Sequence, residues 1–288
     1  MKGSLKEFFS QEIVVPKDTT FTTDSTFRGF RINTAGSTRH GGQKKICRPW
    51  MASLLKILQY AYHRKDWRAF NIKLNVMPCA LQHLDEPLAL EGRELISLIL
   101  NQVAKDVKSY CGYYRIHLER DVVNEGGYHY HIALVAKGIQ SEAAIEIAFR
   151  AVQKAFPKYV NSYINFIAPD IARVKNKEDR EYFEALGIKP DGSKKFLELD
   201  SDASYEYMAF VYSYHAKLYT KEFLIKEKIK IASGNRIKSW HKGIHQRPRS
   251  QHSVDGSLYL RARPEGEINL IHQIKHETFR SDLSNYFS

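Results

Sequence analysis

Apolar residues recur at helical spacing through PWMASLLKILQYAYH (residues 49–63), with Pro49 in the first turn, where its missing N–H is not needed. The period then changes. FNIKLNVMP (70–78) alternates strictly between apolar and polar residues until proline closes it, which is the pattern of a half-buried strand. Helical spacing returns over 91–110. Two strand-like runs follow, YYRIHLE (113–119) and GYHYHIALV (127–135), and the polar stretch between them supplies a turn, so the pair predicts an antiparallel hairpin. Ser141 opens an Ala- and Ile-rich helix that runs to Phe156 and stops at Pro157. A further strand is expected around 162–167, a charged insertion over 176–200 and a helix over 204–221. The order strand, helix, strand, strand, helix, strand, helix predicts an α+β fold, a central antiparallel sheet with helices packed on one side.

Residues 1–45 are rich in Thr, Ser, Gly and charge and read as a loosely structured arm, so 1–64 is taken as an arm with an accessory helix. Residues 223–288 are taken as a basic C-terminal extension. With 288 residues the chain is long enough to bury a core without disulfides, and its three cysteines, Cys47, Cys79 and Cys111, are spaced too widely for a disulfide framework or a Cys-x-x-Cys zinc site. The longest apolar run, around 95–100, is broken by Ser97 and is too short to span a bilayer, so a cytoplasmic protein without membrane association is expected. Charge adds a partner class. Lys and Arg total 44 against 32 Asp and Glu, a formal net charge of +12, and such an excess points to a polyanion, nucleic acid first.

Within the hairpin, alternation places His129 and His131 on one face and Tyr128, Tyr130, Ile132 and Leu134 on the other. A symmetric turn near 122–126 sets Glu119 opposite His129 and His117 opposite His131, with Arg115 on the same face. One face is then apolar and the other carries two imidazoles and a carboxylate. Such a His-His-Glu set leaves coordination positions open, and mixed nitrogen and oxygen donors suit Mn²⁺ or Mg²⁺ acting on a phosphate. His117 competes with Glu119 for the place of third ligand.

Some eighty residues on, YEYMAFVYSYHAKLYTKE (205–222) puts Tyr214 and Lys217 three apart, on one face if the helix continues, with Tyr212 and Tyr219 on a neighbouring face. Asn71, Lys73 and Asn75 project from one side of the first strand and can position a nucleic-acid backbone. The stretch 221–249 holds nine Lys/Arg and two Glu, with Trp240 among them, and this mixture of charge and one aromatic suits phosphate contact and base stacking.

The order of these motifs resembles the HUH replication initiators, whose metal-binding His-U-His has a bulky apolar residue at U. Tyr130 fills that place here. The stretches YHYHIALVAKG and SYHAKLYTK look most like the initiator-like proteins of filamentous phages and related integrated elements, and the resemblance covers about 65–222. It implies an HUH nuclease domain in which His129, His131 and Glu119 hold the metal, Tyr214 is the nucleophile and Lys217 the positive group beside it, with Tyr212 as the competing tyrosine. It further implies nicking and rejoining of single-stranded DNA at an origin or hairpin to start rolling-circle replication; from their own charge, amide or aromatic character, Lys73, Asn75, Arg115, Lys221 and Trp240 are the residues expected on the DNA. A transposase that cuts element ends and a non-catalytic DNA-binding regulator are the alternatives on the same fold. No Walker-type Gly-x-x-x-x-Gly-Lys-Ser/Thr is present, so helicase and polymerase are expected as separate partners.

Overall fold

The computed structural model describes residues 4–18, 20–35, 44–62, 64–75, 95, 96, 98, 99, 102, 112–121, 127–138, 141–222, 232–237, 260–262 and 268–270. Its centre is an antiparallel sheet of β5 (Trp67–Asn75), β6 (Gly112–Asp121), β7 (Gly127–Lys137), β8 (Tyr163–Phe166) and β10 (Ala232–Ile237), in the order β10-β6-β7-β5-β8, with the short β9 (Leu197–Glu198) also paired to β5. The hairpin register is the expected one, Glu119 opposite His129 and His117 opposite His131. Part of the segment read as an extension belongs to this sheet: Ala232–Ile237 lines up along β6 as its outer neighbour. The predicted helix over 91–110 lies mostly outside the described residues, where only Leu95, Ile96, Leu98, Ile99 and Gln102 are seen, all helical.

Alternation along the strands builds two apolar layers. Phe70, Ile72, Leu74, Tyr114, Ile116, Leu118, Tyr130, Ile132 and Leu134 pack with Ala144, Ile145, Ala148, Phe149 and Val152 of α3 (Ser141–Ala155). The other face is split along its length. At one end it carries His129, His131 and Glu119; at the other, Trp67, Ala69, Ala133 and Val135 pack with Met51, Leu54, Leu55 and Leu58 of α2 (Arg48–Ala61) and with Tyr205, Met208, Ala209 and Tyr212 of α5 (Asp202–Ser213). Helices therefore cover both faces, not one, because the polar face of β7 turns apolar after His131. Among the described residues no helix is long and apolar enough to cross a membrane.

The N-terminal segment is folded, which corrects the expectation of a loosely structured arm for its described residues. The helix α1 (Leu5–Ser10) is closed by a reciprocal capping box between Ser4 and Glu7. The short strands β1 (Phe21–Thr22), β2 (Thr26–Phe27), β3 (Phe30–Arg31) and β4 (Ile46–Cys47) follow. Phe9, Ile13, Phe27, Phe30, Ile32 and Ile46 are buried in the layer shared by α2 and α5. The Thr- and Ser-rich composition hid these apolar anchors, which are spaced without strand or helix period. Phe30→Ala should lower unfolding free energy by roughly 3–5 kcal/mol in urea titration, as for other buried aromatics; a loss below about 1 kcal/mol would return the segment to the status of an arm.

The charged stretch 176–200 is also structured in part. Asn176 caps α4 (Lys177–Ala185) by accepting from Asp179 N at 3.0 Å. Phe183 of that helix is fully buried against Ile171, Val174, Tyr207 and Phe210, and Arg31 reaches back to Asp179 at 2.9 Å.

Candidate metal centre

The sheet register brings Glu119, His129 and His131 together, and their ligand atoms lie within 4.8 Å of one another. His129 Nε2 and His131 Nε2 are 3.0 Å apart, and Glu119 Oε2 is 3.8 and 3.6 Å from them. Two nitrogens at that separation match neighbouring positions on one ion bonded to each at about 2.1 Å. All three side chains are buried. Burial holds the His131 imidazole well below the usual histidine range despite the opposing Glu119 carboxylate, so it stays neutral and its lone pair is available to a cation. The donor set fits a divalent ion held by two imidazoles and a carboxylate.

Glu119 is not alone in the interior. Lys221 Nζ donates to its Oε1 at 2.6 Å, and Lys217 Nζ lies 3.2 Å from its Oε2. Burial alone would raise the carboxyl pKa, but nearby positive charge, Lys221 foremost, outweighs it and holds the group well below the carboxylate range. Burial brings Lys221 itself down to about 8 against the pull of the carboxylate. Glu119→Gln removes the charge these two buried ammonium groups face, so a stability loss of roughly 3 kcal/mol is expected in denaturant unfolding, along with weaker Mn²⁺ binding in calorimetry. Unchanged values for both would show that Glu119 neither balances the lysines nor binds metal.

The predicted helix over 204–221 ends early. Ser213 Oγ donates back to Phe210 O at 2.6 Å and accepts from Asn33 N at 2.7 Å, and α5 gives way to a single 3-10 turn, Tyr214–Ala216. Lys217 is extended, bridged to Ile46, and Leu218 N donates to Lys45 O at 2.8 Å. The strand β4 thus pulls the chain out of helical geometry. Tyr214 and Lys217 still meet, by this turn rather than by a shared helix face: Lys217 Nζ lies 3.3 Å from the centroid of the Tyr214 ring. That half-buried ring also stands edge-on to His131, centroids 5.6 Å apart, and Lys44 Nζ is 5.2 Å from its centre.

Tyr212 is placed quite differently. It is wholly buried, its hydroxyl donates to Phe70 O at 3.1 Å and Leu134 O at 2.9 Å, and burial raises its pKa far above that of an ordinary phenol. His117, the competing third ligand, is fully buried beside Trp50 and His215, with ring centroids 5.7 and 6.0 Å away, and does not join the three-residue group.

The residues expected on DNA divide. Lys73, opposite His131, and Asn75 are half-buried on β5. Arg115, 3% exposed, and Lys221, fully buried against Glu119, are interior and correct the expectation of surface contacts. Asn71 is likewise turned inward, its Oδ1 2.9 Å from His215 Nε2. Trp240 and most of the basic stretch 221–249 lie outside the described residues. The sequence reading missed Lys221 as the counter-charge of Glu119. The only available signal was its four-residue spacing from Lys217, whose carbonyl it also reaches at 3.1 Å. Comparison of the chain with protein-family models, curated proteins and solved structures finds no match.

Proposed function

We propose that this chain is a metal-dependent enzyme that nicks and rejoins single-stranded DNA through Tyr214, in the manner of the HUH rolling-circle initiators its motifs resemble, most closely those of filamentous phages. The observation that carries the reading is the approach of one half-buried tyrosine ring to both a metal-type imidazole, His131, and a lysine ammonium, Lys217. The other tyrosine of the motif is locked in the core.

His129, His131 and Glu119 would hold Mn²⁺ or Mg²⁺. Such an ion, when bound, supplies electron withdrawal from a phosphate and neutralisation of the charge that develops there. A phenol of pKa near 10 is a poor nucleophile, so positive charge beside it is needed, and Lys217 and Lys44 provide it. Tyr214 Oη forms a bond to phosphorus as the bond from phosphorus to the 3′ oxygen breaks. The phenolic proton is lost, and the departing 3′ oxygen gains one. The products are a 5′-phosphotyrosine and a free 3′-OH that can serve as primer. The retained phosphodiester energy allows later rejoining without ATP. Half-buried Lys73, opposite His131, and Asn75, two residues on along the same strand, would orient the DNA backbone.

The partners on this reading are an origin or hairpin in single-stranded DNA and a separate helicase and polymerase in the cytoplasm. Incubation with single-stranded oligonucleotides and Mn²⁺ should give an adduct that survives SDS, and chelation should prevent it. Binding without any adduct across a broad oligonucleotide pool would favour a non-catalytic DNA-binding regulator. Cutting that depends on hairpin ends and joins two elements would favour a transposase.

A further inference from the structure

Resting on the reading of Glu119, His129 and His131 as a metal centre, the division of the glutamate between two lysines carries a further consequence. Glu119 is 1% exposed, and each of its oxygens faces one ammonium group. Lys221 Nζ, fully buried, holds Oε1 at 2.6 Å and also donates to Lys217 O at 3.1 Å. Lys217 Nζ is on Oε2 at 3.2 Å. Oε2 is the oxygen directed at both imidazoles, 3.8 and 3.6 Å from their Nε2 atoms. Lys217 therefore sits on the metal-facing oxygen, and Lys221 on the other.

We propose that Lys217 is an internal stand-in for the metal ion: its ammonium neutralises Oε2 while no ion is bound, and ion binding displaces it from that oxygen, with Lys221 holding Oε1 throughout. A buried carboxylate directed at two imidazoles needs a cation near its metal-facing oxygen, which explains why a lysine side chain occupies this interior position. A divalent ion and an ammonium sharing one oxygen in a poorly screened interior repel each other strongly. The ammonium keeps a partner once it leaves Oε2, since it also lies over the Tyr214 ring at 3.3 Å from the centroid. Loading the centre then releases the Lys217 ammonium from the carboxylate and leaves its charge to the phenol.

Mn²⁺ affinity is measured by calorimetry and by electron paramagnetic resonance for the full-length protein and for Lys217→Met, whose side chain keeps the length and loses the charge. The variant should bind Mn²⁺ about tenfold or more tightly than the wild type, and Lys217→Arg should not. In ¹⁵N-lysine spectra of the wild type, saturating Mg²⁺ should shift the Lys217 ammonium signal and leave that of Lys221 in place. This arm decides the matter alone if Lys217→Met does not fold. Equal Mn²⁺ affinity in wild type and Lys217→Met, or a Lys217 signal unmoved at saturation, overturns the exchange and leaves the metal centre standing. Binding of Mn²⁺ and Mg²⁺ by neither protein overturns both.

Discussion

Tyr214→Phe should eliminate the covalent DNA adduct while leaving the protein as stable as the wild type and able to bind single-stranded DNA. The ring is half-buried and packs against His131 and Lys217, and phenylalanine keeps that ring. Only the hydroxyl of the proposed nucleophile is deleted. Tyr212→Phe should do the reverse. Its hydroxyl is buried and donates to two carbonyls on adjacent strands, Phe70 O on β5 and Leu134 O on β7, so deleting it leaves those acceptors without this donor and costs about 1–3 kcal/mol. The adduct should still form. The pair of variants thus separates chemistry from folding: adduct yield on a denaturing gel and midpoint in urea should move in opposite variants. Mass spectrometry that maps the trapped nucleotide to Tyr212 or Tyr219 would assign the nucleophile elsewhere.

The sheet and the metal-type residues were legible because their information is local. In the hairpin, period-two alternation in two runs separated by a short polar stretch predicts the register, and register alone brings Glu119 opposite His129. What could not be read depended on contacts between distant segments. Nothing in residues 205–222 signals that α5 must end at Ser213. The cause is Ile46, some 170 positions earlier, whose bridge to Lys217 holds the chain extended. Likewise Lys221 reads as one more lysine at the start of a basic stretch, and only the folded chain shows it enclosed with Glu119. The same holds for the N-terminal segment, whose Phe9 and Phe30 have partners on α2 and α5 and no periodic neighbours of their own. Helices on the second face follow from Ala69, Ala133 and Val135, small residues whose apolar run is too short to stand out beside the histidines.

His129→Ala and His131→Ala should each reduce Mn²⁺ affinity by more than the ~10–100-fold that loss of a supporting group around a metal costs, and the double variant should form no adduct. The fold should survive. Neither imidazole belongs to the apolar clusters that join the sheet to α2, α3 and α5, and both stand at the polar end of their face. His131 is held neutral by burial, so its removal strands no charge, and Lys221 continues to balance Glu119. The circular dichroism spectrum should therefore match the wild type even as calorimetric metal binding disappears. Each outcome bears on a different step of the argument. Lost metal affinity with an unchanged circular dichroism spectrum places the ion at the hairpin. Full Mn²⁺-dependent adduct formation by the double variant would mean that the ion is held without the two imidazoles, and that the 3.0 Å approach of their Nε2 atoms is a hydrogen bond within the polar end of the sheet.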